Sequence, residues 1–400
     1  MKSAQSLLVV LALALLAPLV SDAIRRLIVP VAVVEVLLGI AFGPQGLGLI
    51  EVDTVTSALS TFGLLFLFFL AGLEIDFERI AGRPLRVAAA GWLISFGLAL
   101  GVAALLGLAG LEANVLYLGL ALCTTALGTL LPILGDAGAG ESMLGRYVMA
   151  AGAVGEFVPI VLIATLLNSN EKPLSAVLSL NLFVIVVLIG LWAARKWKPP
   201  HLTRIIRDTM HTSGQVAVRM SMVLIAGAAY LAVRFGLESL LGAFAAGIMA
   251  AQVLRRLDTP AQVKAVVTKY EAVGFGLLIP VYFIITGAKF DLDALLANPW
   301  LFALVAVFLL LMLAVRGLPT ALLARPGLDG PPLPLALLTA TQLPLVVTIT
   351  GEAVKDGHMT AAIASAMVGA AMLSVLVFPT LALSGGRRSR VSVAVPEVAV

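Results

Sequence analysis

Glu156 is the only charge in the apolar run Tyr147–Leu167, and a carboxylate is well suited to hold a proton or a metal cation there. The run is long enough to cross a bilayer, and Glu156 falls near its middle, where an ionised side chain is costly. An acid kept at that depth needs a compensating proton, cation or basic side chain. The competing structural reading is a Glu capped by a neighbouring helix. Pro159 follows three residues on and has no N–H, so it bends the helix and frees a backbone carbonyl beside the acid. Arg316 is the other isolated charge, the only one between Leu301 and Leu323. A buried guanidinium needs an anion or several carbonyls. Glu156 and the ends of interrupted helices both qualify, and a purely structural role fits as well.

Two polar stretches interrupt apolar runs. Cys123–Thr129 contains Thr124 and Thr125 and is followed by Pro132; Thr339–Pro344 contains Gln342. Both suit helices broken within the membrane, with exposed carbonyls and amides near Glu156. The alternative is ordinary helix whose Thr hydroxyls bond back to the preceding turn. Glu35, in Val29–Phe42, is a candidate second ligand or gate, or the partner of a neighbouring helix. Glu74 and Asp76 read as helix-end acids that pair with Arg79 or Arg83 and do not touch substrate.

The elements that must position these residues are apolar helices. The chain has 400 residues, 61% hydrophobic and 12% charged, with a mean hydropathy of +1.09. That composition excludes a soluble fold and defines an all-α polytopic membrane protein. The sole cysteine, Cys123, excludes an intrachain disulfide. His201, His211 and His358 are far apart and lack ligand spacing, so no zinc or haem is expected. No cofactor is expected, and no nucleophile–base pair marks an enzyme. The net charge of +4 comes from basic loops and reads as membrane orientation, not nucleic-acid binding. Met1–Ala23 has the look of a secretory signal, but it is read as a first span because the topology requires one.

Apolar runs give about 13 spans by the 20-residue criterion. With the N-terminus outside, the inner loops hold clusters such as Arg79/Arg83/Arg86 and Arg195/Lys196/Lys198, while the outer segments hold isolated Lys2, Lys172, Arg234, Lys289 and Lys355. This asymmetry sets the orientation. Trp92, Trp192, Trp197 and Trp300 are expected at span ends as interfacial anchors. An internal echo pairs Phe62–Leu65 and Leu70–Asp76 with Phe275–Leu278 and Ile285–Asp291, and pairs Val36–Ala41 with Phe244–Met249. The copies stand about seven spans apart and so run in opposite directions, which supports an inverted-repeat transporter. The expected division is residues 1–194 (first repeat and a connecting span), 195–214 (basic cytoplasmic linker), 215–384 (second repeat) and 385–400 (short cytoplasmic tail).

The motifs Gly39–Gly48, Phe69–Asp76, Leu241–Gly247 and Pro280–Ala288, in this order, resemble the monovalent cation:proton antiporter-2 family. The resemblance implies a sodium/proton-antiporter fold of 13 helices with two crossed, interrupted helices, a dimerisation domain and elevator-type alternating access. It also implies a homodimer in the cell's inner membrane. In relatives the ion-binding span carries a carboxylate pair, Asn-Asp or Gln-Asp; here those positions read Gly155-Glu156. The family's threonine on the interrupted helix matches Thr125, and its basic residue in the second half, often Lys, matches Arg316.

The function expected is exchange of protons for Na⁺ or K⁺, with either ion neutralising Glu156 so that it can cross the apolar barrier. Thr124 and Thr125 are the expected supporting ligands, Arg316 a supporting charge, and Glu35 and Gln342 secondary candidates. With one titrating acid, each cycle moves one proton against one cation and is electroneutral, unless Arg316 pairs with Glu156 and releases a charge. An organic-anion symporter of related fold and a non-transporting membrane sensor stay open as alternatives.

Overall fold

Lipid offers no hydrogen bonds, so an apolar chain must satisfy its backbone internally, and the chain does so with helices. The computed structural model describes residues 2–23, 30–75, 80–136, 138–140, 142–163, 181–190, 192, 209, 214–255 and 259–384. Most of the basic linker, the tail 385–400, His201, His211, Asp76, Arg79 and Trp197 lie outside the described residues.

The helices are α1 (Lys2–Ala23), α2 (Val31–Phe42), α3 (Thr54–Glu74), α4 (Arg83–Leu108), α5 (Val115–Leu122), α6 (Leu127–Asp136) and α7 (Met143–Leu162). After α8 (Asn181–Gly190) come α9 (Val216–Arg234) and α10 (Ser239–Leu254). Then follow α11 (Pro260–Ala288), α12 (Leu292–Ala297) and α13 (Trp300–Gly327). The last are α14 (Leu333–Thr339), α15 (Pro344–Lys355) and α16 (Ala361–Ser384). Among the described residues eight helices are long and apolar enough to cross a membrane, nine if the bent pair α14–α15 counts as one span. Four shorter apolar helices stand between them. That count is of the described residues alone and does not reach the expected 13.

The helices pack as two bundles. One contains α1, α2, α3, α9, α10 and α11; the other contains α4 to α7, α13 to α16. Glycine crossings hold the first together. A Cβ on Gly39 would meet the Ile284 carbonyl, and one on Gly287 the Val36 carbonyl, so α2 and α11 touch backbone to backbone. Gly72 against the Phe244 carbonyl and Gly247 against the Phe69 carbonyl do the same for α3 and α10. Small residues at such points let membrane helices approach closely. The internal echo aligns Gly39 with Gly247 and Gly72 with Gly287. Exchanging the copies therefore turns one crossing into the other.

The two longest helices of the second half, α11 and α13, carry a π-helical turn just before a proline: Gly274–Leu278 before Pro280, and Met312–Gly317 before Pro319. Proline cannot donate to the carbonyl four residues back, and its ring widens the preceding turn. The second of these turns carries Arg316.

Candidate functional site

The two expected interruptions are present and meet. The chain leaves helical geometry at Cys123–Ala126, between α5 and α6, and at Ala340–Leu343, between α14 and α15. At the crossing the Ala126 N–H donates to the Thr341 carbonyl at 2.8 Å. The Thr125 N–H donates to the Gly155 carbonyl at 3.2 Å. Pro159 accounts for the second bond. It lies inside α7, four residues after Gly155, and supplies no N–H to that carbonyl, which is left for the neighbouring segment.

Glu156 is 3% exposed. Its Oε1 accepts the Leu127 N–H at 3.0 Å, at the first turn of α6. A helix N-terminus presents unpaired N–H groups and a partial positive charge, so it suits an anion. Small residues on α7 allow the approach: a Cβ on Gly152 would lie 2.7 Å from Leu127 Cδ1. Oε2 of Glu156 is buried without a hydrogen-bond partner among the described residues. One oxygen is thus fixed by backbone, and the other has no protein partner among the described residues. The hydroxyl of Thr129, also on α6, is a second buried polar atom without a partner there.

Arg316 is fully buried, and Glu156 is not among its hydrogen-bond partners. Its Nε donates to Thr125 Oγ1 at 2.9 Å, one terminal nitrogen to Thr320 Oγ1 at 3.0 Å, and the other to the Ala151 carbonyl at 2.8 Å. Of the two partners weighed from sequence, the acid is not used. The broken-helix end is reached indirectly, because Thr125 Oγ1 in turn donates to the Thr339 carbonyl at 2.7 Å. Gly155 makes room for this. A Cβ there would lie 2.7 Å from the guanidinium and 2.7 Å from Thr125 Oγ1.

Gln342 staples the two breaks. Its Oε1 accepts from Thr124 Oγ1 at 3.1 Å and its Nε2 donates to the Leu122 carbonyl at 3.0 Å. Its backbone N–H is bound by Ser374 of α16 at 3.0 Å. Glu35 is buried on α2, in the bundle that does not contain the crossing, and no hydrogen bond joins it to Glu156. Trp92 departs from its expected place at a span end. It lies inside the 26-residue α4, is 2% exposed, and donates to the Cys123 carbonyl at 3.1 Å. Its indole N–H satisfies a carbonyl freed by the break, which an interfacial position would not need. Trp300 opens α13, at a helix end as expected, and is exposed; Trp192 is exposed too. Glu74 is the last residue of α3, the helix-end place expected of it, and Arg79 lies outside the described residues. The Ser374 hydroxyl and the Leu127 N–H had no signature in the sequence, whereas the Gly155 carbonyl is marked by Pro159.

Two broken helices crossing beside a buried acid in one bundle, with an internal echo relating the glycine crossings of the other, define the architecture of an inverted-repeat secondary transporter. The family model described as sodium/hydrogen exchanger, transmembrane, matches residues 11–383, and the chain belongs to that family. It is 27% identical over 343 residues to the putative Na(+)/H(+) antiporter YjbQ of Bacillus subtilis, covering 81% of this chain and 53% of that protein. It therefore spans about half the length of YjbQ. To the Na(+)/H(+)-K(+) antiporter GerN of Bacillus cereus it is 25% identical over 382 residues, 91% of this chain and 92% of GerN. The fold is similar to that of the sodium proton antiporter MjNhaP1 from Methanocaldococcus jannaschii, with a TM-score of 0.66 at 17% identity, covering 96% of this chain and 98% of that one.

Proposed function

We propose that this chain exchanges protons for a monovalent cation, Na⁺ or K⁺, at Glu156. The observation that carries the reading is the divided carboxylate: Oε1 held by the Leu127 N–H, Oε2 buried and unpartnered. A proton or a cation on Oε2 removes the cost of an ionised acid in the membrane, and the two compete because there is one such oxygen. Thr125, Thr124 and Gln342 hold the crossing in shape around it. The names of YjbQ and GerN support Na⁺ and K⁺ as the cations.

The second bundle, with the crossing, moves against the first as an elevator, and the chain works as a homodimer in the inner membrane. Its N-terminus is outside and its C-terminal tail cytoplasmic, with residues 1–194 and 215–384 as the two repeats. Exchange is electroneutral, since Arg316 is bonded to hydroxyls and a carbonyl and has no proton to trade with Glu156. No covalent bond is made or broken in the cycle.

The test is a pH-dye assay in proteoliposomes with Na⁺, K⁺ and Li⁺. Wild type is expected to give a saturable, cation-driven pH change. Glu156→Gln, neutral and of similar shape, is expected to abolish it. A Glu156→Gln protein that still exchanges would overturn the proposal.

A further inference from the structure

Beside Glu156, two aromatic rings join the bundles. Phe157 of α7 and Phe244 of α10 stack with centroids 5.6 Å apart and planes inclined by 29°. They belong to different bodies. Phe244 is 2% exposed, and its own carbonyl lies against Gly72 of α3. Gly242, two residues before it, is pressed on the Ala228 carbonyl of α9. These contacts fix Phe244 to the first bundle. Phe157 is 38% exposed and follows Glu156 directly on a helix of the second bundle.

Phe157 lies on the C-terminal side of Glu156, and Phe244 is in the N-terminal part of α10. In the orientation read from the basic loops, those ends face outward. On the inward side, α3 ends at Glu74. The outward side of the acid is thus crossed by stacked rings.

We propose that the Phe157–Phe244 stack seals the outer approach to Glu156 in this conformation, and that it must part before the acid is reached from that side. This inference rests on the antiport reading and adds the residues that keep the exchanger from leaking. A stack between two bodies that slide past each other cannot survive the slide. The rings exclude water and hydrated ions by their size and apolarity, and they are parted by motion of the bundle, not by titration.

The experiment is to bridge the pair. Phe157→Cys and Phe244→Cys are combined in the full chain, with Cys123 in place, and treated with a short membrane-permeant bis-maleimide. The two single variants control for the Cys123 thiol. Bridging is expected to abolish cation-driven proton flux in the double variant and to leave the singles as they were. A bridged protein that exchanges like the untreated one, or a pair that cannot be bridged, overturns the proposal. If the untreated double variant does not exchange, proton leak without a cation gradient decides: leak is expected from the lost seal, and tight vesicles overturn it. Failure of the antiport reading is seen separately, as absence of cation-driven flux in wild type.

Discussion

A methyl group on Gly155 would have to displace either the guanidinium of Arg316 or the hydroxyl of Thr125, each 2.7 Å from its position. Both are bonded in a chain that runs from Arg316 through Thr125 to the Thr339 carbonyl. Gly155→Ala is therefore expected to destabilise the detergent-solubilised protein by roughly 1–3 kcal/mol, the range for overpacking, read as a lower melting temperature. Thr125→Val keeps the volume but removes an acceptor from Arg316 and a donor from Thr339. The expected cost is about 1–3 kcal/mol for the unsatisfied groups, with weakened exchange. Wild-type melting in both variants would show that the chain of bonds is not what seats Arg316. Much of this was legible at the level of residue types: Glu156, Thr125 and Arg316 stood out as polar groups in apolar runs. Their pairings did not, because the acceptor of a guanidinium is set by packing across helices far apart in sequence. Ala151 contributes through its carbonyl, and side-chain chemistry gives no sign of that.

The elements owe their arrangement to local breaks and close approaches. Pro159 and Pro344 marked the freed carbonyl and the second break because a missing N–H is a local fact. The glycine echo pointed to the crossings for a similar reason, since a missing side chain shows directly in the sequence. The depth of Trp92 was not local. It depends on α4 extending over 26 residues and on a carbonyl supplied by another helix. The crossings make a sharp prediction. A Cβ on Gly247 would run into the Phe69 carbonyl, whereas Gly97 on α4 has nothing within 4 Å of that position. Gly247→Ala is expected to force α3 and α10 apart and lower the melting temperature. Gly97→Ala should leave it unchanged or raise it, because Ala is favoured over Gly in a helix by about 1 kcal/mol. Equal responses from the two variants would mean that the α3–α10 contact tolerates separation.

For the whole molecule the question is how much charge crosses per turnover. The buried formal charges at the crossing are Glu156 and Arg316. Arg316 is bonded to two hydroxyls and a carbonyl, and on the proposed reading Glu156 is the group that exchanges its ion. On that reading, the bundle loaded with a proton has the same net charge as the bundle loaded with a monovalent cation, and one proton would be exchanged for one cation. Two measurements follow from that equality. With the membrane potential clamped, Na⁺-driven proton flux should generate no current that scales with turnover. Where protons compete strongly, the apparent KM for the cation should rise as pH falls, approaching about tenfold per pH unit, as linkage requires when a single proton is displaced. A steeper dependence accompanied by current would mean that a second group titrates in the cycle. Glu74, the last residue of α3, would be the residue to test next by replacement with Gln.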